Sequence, residues 1–180
     1  MKKIPVRHIA ASAIGLVPLE GFKIRDLHQV LAGNDLVHDL HRHDFYFVLA
    51  IRDGAGTHHI DFVPYPVTDH SIFVLRPGQV HQLELMRGTT GYLLEFSPAF
   101  YAPDETLSTQ RLIRASHKNF CQVESSRSEK LLAILENICQ EFSARQQGYV
   151  EMIKANLDIF FIEFIRQGQN TNSKPANILL

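Results

Sequence analysis

Two spacings divide this sequence. From Phe22 to about Val123, apolar and polar residues alternate in short runs separated by turn residues, the period-2 signature of strands. The run His41–Arg52 sends His41, His43, Phe45, Phe47, Leu49 and Ile51 to one face. Arg42, Asp44, Tyr46, Val48, Ala50 and Arg52 go to the other, as in one half-buried strand. Asp53-Gly54-Ala55-Gly56 reads as a turn and Thr57 to Phe62 as the return strand, after which Pro64 and Pro66 break the run. Ser71–Leu75, His81–Leu85 and Gly91–Phe96 are further strands, the first ended by the turn Arg76-Pro77-Gly78. Strands this short, at this spacing, predict an antiparallel barrel or jelly roll over residues 21–123.

After Val123 the spacing becomes helical. Ser126 and Glu129 form a capping-box pattern, followed by Leu131, Leu132, Leu135, Ile138, Cys139 and Phe142 at helical intervals. Gly148 separates this helix from a second one, from Tyr149 to about Gln167. Its apolar set (Met152, Ile153, Leu157, Phe160, Phe161, Phe164, Ile165) is too wide for one small barrel face. Residues 124–168 are therefore expected to form two dimerisation helices, with Leu131, Leu135, Ile138, Met152, Leu157, Phe161 and Phe164 at the interface. The plainer alternative is that both helices pack on the barrel. Residues 1–20 show neither alternation nor caps and read as an arm. Lys2, Lys3 and Arg7 before Ile9 to Leu19 imitate a signal peptide, but Pro18 interrupts the stretch and no small-residue cleavage site follows. Residues 169–175 read as a polar linker, which leaves 176–180 as the start of something further.

Composition narrows the classes. At 180 residues the chain is one domain or one domain with an appendage. Eighteen Lys and Arg against 19 Asp and Glu leave a net charge of −1, which argues against this piece holding nucleic acid unaided. No apolar run approaches the roughly 20 residues of a membrane span. Cys121 and Cys139 fit no zinc or redox motif and are expected to be free thiols in a reducing cytoplasm.

The histidines are the outlier: seven of the ten lie between His38 and His81. His41-x-His43 on a strand puts two imidazoles on one face, the spacing of two ligands of one metal. Pro77-Gly-Gln-Val-His81 brings a third histidine just after a turn. His-x-His, a glycine at Gly54, then Pro-Gly-x-x-His resembles the two motifs of the cupin superfamily. That resemblance implies ligand positions for His41, His43 and His81, and Phe47 stands where metal cupins carry a glutamate. Three histidines can hold zinc, but a phenyl ring in place of the anionic ligand is the change expected when a barrel gives up metal for an organic ligand. No cofactor is therefore expected, with a divalent metal on those three histidines as the alternative. Strand parity gives the pocket: His41, His43, Phe45 and Phe47 from one strand, His81 and Leu83 from another, Leu93 from a third, and His38 at the mouth. His58 and His59 straddle two faces, so at most one reaches it. Asp44 with Arg42 or Arg52 reads as a surface cluster, Ser97-Pro98 as a turn. Asp61 and Glu95 are acid–base candidates without a visible nucleophile.

A closer resemblance covers residues 40–168. "LHRHDFYFVLAIRDGAGTHHIDF", "FVLRPGQVHQLEL", "GYLLEFSPAFY" and "GYVEMIKANLDIFFIEFIRQ" are similar, in this order, to signatures of the N-terminal domain of AraC-type regulators. The resemblance implies a cupin barrel binding a small effector, helices that form a homodimer, and a separate helix-turn-helix domain that reads promoter DNA and is missing here. The expected function is effector sensing and dimerisation, the effector being a small polar molecule such as a sugar or small acid, with no catalysis. The alternatives are a stand-alone metal-dependent cupin enzyme, a dioxygenase or isomerase, and a metal-free sugar-binding cupin with no regulatory partner.

Overall fold

Where one strand is expected from His41 to Arg52, the chain makes two. β3 (Leu36–His43) ends at a corner formed by Asp44 and Phe45, and β4 (Tyr46–Ile51) begins in a different sheet. The computed structural model describes residues 4–9, 18–102 and 107–167. Around this pair run β1 (Val6–Arg7), β2 (Phe22–Asp26), β5 (Gly56–Ile60), β6 (Val63–Val67), β7 (Ser71–Leu75), β8 (Val80–Leu85), β9 (Gly91–Phe96) and β10 (Phe120–Gln122). They form two five-stranded sheets, ordered β1-β3-β8-β5-β6 and β10-β7-β4-β9-β2. The first is called the histidine sheet below and the second the central sheet. All pairings are antiparallel except β1 with β3. The fold is thus mainly β with C-terminal helices, as expected. Its sheets face each other as a jelly-roll-like sandwich, however, and do not close into a barrel.

Side-chain parity explains the layers. Phe47, Leu49 and Ile51 of β4 join Ile60, Leu83 and Leu85 of the histidine sheet in the core between the sheets. Their neighbours Val48 and Ala50 are equally buried, but in a second core under the helices α4 (Ser125–Ala144) and α5 (Tyr149–Gln167). β4 and β7 are therefore buried on both faces and read as continuous apolar runs, as strands covered on both sides must. The short helices α1 (Leu27–Leu31), α2 (Pro98–Tyr101) and α3 (Leu107–Ala115) were not foreseen. Ser97 is the N-cap of α2, accepting from the Phe100 N–H, and is not merely a turn residue.

This second core overturns the proposed dimer face. Leu131, Leu135, Ile138, Leu157, Phe161 and Phe164 are all buried within the chain, packed against Phe22, Ile24, Val48, Ile72, Val74, Leu94 and Phe96. The outer face of the central sheet is apolar and consumes the helices' width; of the seven residues named, Met152 alone is exposed, at 49%. Three smaller expectations also change. α4 starts at Ser125 with Glu124 as N-cap and no side-chain cap bond, and Glu129, expected to reach back in a capping box, accepts from Arg52 at 3.0 Å. Pro64 and Pro66 do not break the chain: both lie in β6, an edge strand, where a missing N–H costs no ladder bond. Asp44 pairs with His8 at 2.5 Å and not with an arginine. Among the described residues, neither Cys121 nor Cys139 is in a disulfide. Parts of the arm (residues 1–3 and 10–17) and the linker with its continuation (169–180) lie outside the described residues.

Candidate functional site

The histidine site is built by a bulge, a corner and a turn. In the β3–β8 pairing, His38 faces Leu83 and His41 faces His81, so β3 spends one residue more than β8. This bulge puts His38 and His41 on one face despite their odd spacing and turns the Asp39 carbonyl toward the His41 ring, where it accepts from Nδ1 at 2.5 Å. The corner after β3 stacks Phe45 on His43, ring centres 4.2 Å apart. The turn at Arg76-Pro77-Gly78 donates the Gly78 N–H to the His43 carbonyl at 2.8 Å. Gly78 has φ +87°, a conformation that favours glycine. Gln79, buried, braces this turn: it accepts from the Arg76 N–H at 2.9 Å and donates to Asp61 at 2.8 Å and to Asn119 at 2.9 Å. Asp61 therefore holds a loop together, accepting also from the Val80 N–H.

The result is a group of converging imidazoles. His41 Nε2 and His43 Nε2 are 2.8 Å apart, and His81 Nε2 lies 3.3 Å from His43 Nε2. Phe47 presses on His81 and His43, with ring centres 5.0 and 5.3 Å away. His58, from β5, places Nε2 2.8 Å from His81 Nδ1. Burial is the main reason that all of these rings resist protonation. His43 and His58 are each pushed down to about 3, and neighbouring imidazoles add to the effect. His41 and His81 are lowered for the same primary reason. His38, nearer the mouth, falls to about 4, first through burial and then through the charge of Arg7.

Of the residues expected to line the pocket, the structure brings together His38, His41, His43, Phe45, Phe47 and His81. Leu83 and Leu93 also face the space between the sheets, but in the apolar packing beyond the ring cluster. Sequence reasoning left out His58, although its alternation with Ile60 marked it as the inward member of the His58–His59 pair. It also left out the charged groups around the mouth. Arg25 of β2 lies opposite Leu93 on the inner face and donates to Glu95 at 3.2 Å. Glu95 is buried, and burial raises its pKa against the pull of Arg25. Arg7 arrives on β1, whose register sets Arg7 beside His43. Arg25 Nε and His38 Nδ1 are buried with no hydrogen-bond partner among the described residues.

Two things follow for chemistry. The spaces between the imidazole nitrogens are atomic in size, so an organic molecule cannot enter among His41, His43 and His81 without displacing rings. The mouth is polar, with the cations Arg7 and Arg25 beside His38, whose ring is held neutral. Glu95 is tied to Arg25 at 3.2 Å. A groove of about 420 Å³ between α3 and the end of α5, lined by Ile113, His117, Cys121 and Phe164 among others, belongs to the helical side and includes none of His41, His43, His58 and His81.

Similar solved structures include the AraC-like transcriptional activator CuxR, 12% identical, matched over 76% of this chain and 46% of that one with a TM-score of 0.48. ToxT from Vibrio cholerae is 14% identical over 88% of this chain and 61% of that one, with a TM-score of 0.49. A cupin protein from Bacteroides fragilis is 18% identical over 54% and 94%, with a TM-score of 0.32. This chain thus spans less than two thirds of CuxR and of ToxT. A search of curated proteins finds no match. The model of one protein family, the AraC-like ligand binding domain, matches residues 31–157, from before β3 into α5. By that match over most of its length, the chain belongs to the AraC-like ligand binding domain family.

Proposed function

We propose that this chain is the effector-sensing and self-associating part of a cytoplasmic AraC-like transcription regulator, and that its effector is a small acid in preference to a sugar. The family match carries the regulator reading; the cationic mouth supports the acid. A carboxylate takes charge-assisted bonds from guanidinium groups, and Arg25 Nε has a donor without a partner. Promoter DNA would be read by a further domain, since the net charge of −1 gives this one no basic excess.

The mechanism is a population shift. β1 is held to β3 by two residue pairs and by the Arg42 N–H to Pro5 carbonyl bond at 3.0 Å, a short attachment beside His43. An effector at the mouth would favour one position of this arm, and the arm would bias how two DNA-reading domains are spaced. Self-association falls to the outward stripe of α5: Met152, Ala155 and Ile159 are exposed and Ile162 half-buried, at helical spacing.

The test is calorimetric and thermal titration of the purified chain with pentoses, hexoses and short mono- and dicarboxylates. Saturable binding of an acid, raising the melting midpoint and lost in Arg25→Ala, is expected. A panel that leaves the midpoint unmoved would sink the effector class. The second reading, a metal-dependent cupin enzyme, is favoured by the three converging histidines alone. Turnover by the metal-loaded chain that disappears with His43→Ala would put it first.

A further inference from the structure

We infer that the groove between α3 and the end of α5 is a second ligand site, apart from the histidine mouth, and that it takes an amphipathic monoanion, an apolar body with one acidic head. Its volume of about 420 Å³ is that of a small-molecule site. Ile113 of α3 and Phe164 and Ile165 of α5 supply apolar walls. Ile113 stays 61% exposed, so an apolar body laid against it removes from water a surface that folding leaves uncovered. The groove has a fixed shape. Asp158 of α5, about two turns before Phe164, holds α3 through Ser108 and Arg111, and Leu112 and Ala115 of α3 are buried. The exposed stripe of α5 proposed for self-association lies elsewhere: neither Met152 nor Ile159 lines the groove.

The rim decides the charge of the ligand. Arg114, His117 and Lys118 line the groove and are exposed, and among the described residues none that lines it is acidic. The carboxylates of the same stretch of α5 are engaged elsewhere. Asp158 accepts from the Tyr101 hydroxyl at 2.6 Å, from Ser108 at 3.1 Å and from Arg111. Glu163 pairs with Lys130 at 2.9 Å and Arg166 at 3.1 Å. The last turn of α3 ends beside this rim, and a helix C-terminus would offer it bare carbonyls. Ser116 answers part of that, its N–H and hydroxyl both donating to the Leu112 carbonyl at 2.9 and 2.7 Å. An acidic head at the rim therefore meets cations, while the apolar body lies on Ile113 and Phe164. A neutral apolar molecule would use the walls and waste the rim; a small polar acid would do the reverse. This site does not depend on the regulator reading.

The test titrates the 180-residue chain calorimetrically with hexanoate, octanoate and 1-octanol. Octanoate is expected to bind saturably, tightening about fourfold for each methylene beyond hexanoate. It should exceed 1-octanol by roughly threefold to fivefold, the strength of an exposed ion pair, and added salt should shrink that margin. Ile113→Asp should weaken octanoate by roughly tenfold or more, and Arg114→Gln should narrow the gap between octanoate and 1-octanol. Circular dichroism and melting midpoints verify folding of both variants. Isoleucine methyl shifts locate the ligand without a substitution: Ile113 and Ile165 should move with octanoate, and Ile60, in the core between the sheets, should not. No saturable binding, or equal binding by a folded Ile113→Asp chain, overturns the site. Equal or tighter binding of 1-octanol overturns the anion. Binding lost in Arg25→Ala but kept in Ile113→Asp would put the acid in the histidine mouth, overturning the groove and leaving the small-acid effector standing. A lower sedimentation mass for Ile113→Asp than for the parent would make the groove an interface between copies and overturn the ligand.

Discussion

Phe47 is the residue on which the chemistry of the site turns. It is fully buried between β4's neighbours and the imidazoles, so Phe47→Glu exchanges apolar packing for a carboxylate beside His43 and His81. In chelator the variant should lose about 3–5 kcal/mol, the usual loss for removing a buried ring. Zinc should return part of it, because the carboxylate then has a cation. Urea melts with and without zinc measure both values, and a variant equally unstable in each would show that no ion reaches this position. The imidazoles make a second prediction. Their folded pKa values are depressed, so above the ordinary value of roughly 6.5 the rings are neutral in both states and stability is flat. Below it the unfolded chain takes up protons that the fold refuses. Stability therefore falls as pH drops from about 6.5 toward the folded values, about 4 for His38 and about 3 for His43 and His58. Each buried ring in that window costs about 1.4 kcal/mol per pH unit. Melting midpoints in chelator from pH 7 to 4 would test this, and a flat profile would contradict it. These roles differ in legibility. His41, His43 and His81 stood out by spacing, and Phe47 by interrupting a motif. His58 did not, because its value comes from reaching a ring 23 positions away.

Among the elements, α4 and α5 carry the main correction. An amphipathic stripe records that a face is buried, not what buries it. Leu157 and Phe161 looked like surplus until Val48, Ala50, Val74 and Leu94 emerged as an apolar outer face beneath them. Phe161→Ala should accordingly cost about 3–5 kcal/mol in the monomer. Met152→Glu should change stability by no more than about 0.5 kcal/mol while weakening self-association. Urea titration beside sedimentation equilibrium separates the two effects; an unchanged mass for Met152→Glu would remove the α5 stripe from the interface. Strand boundaries were easier: Ser71–Leu75 and Gly91–Phe96 coincide with β7 and β9. The break at Asp44 and Phe45 was hidden because the chain keeps its inward parity while changing sheets.

Across the sandwich, β1 joins the arm to the histidine sheet. Deleting residues 1–9 should leave the two cores intact, since among the described residues 4–9 Ile9 alone packs on one of them, and there only partly buried. Hydrogen exchange should then quicken at the Arg42 N–H, which loses its Pro5 acceptor, while Leu49 and Val74 in the central sheet stay protected. Uniform loss of protection would mean that the arm is part of the core. Short apolar–polar alternation, turn residues and the later helical spacing were enough to identify an antiparallel β fold followed by helices, though not that its sheets stay open as a sandwich, because these periods are local properties of the chain. The same local reading found the His-x-His pair and the histidine after the turn. Which sheet each strand entered, whether α4 and α5 met a partner or their own chain, and which imidazole faced which depended on contacts between distant residues. So did the charged mouth: Arg7 and Arg25 are unremarkable in sequence, and a bulge, an edge strand and a parallel pairing bring them to His38, which the sequence had placed there.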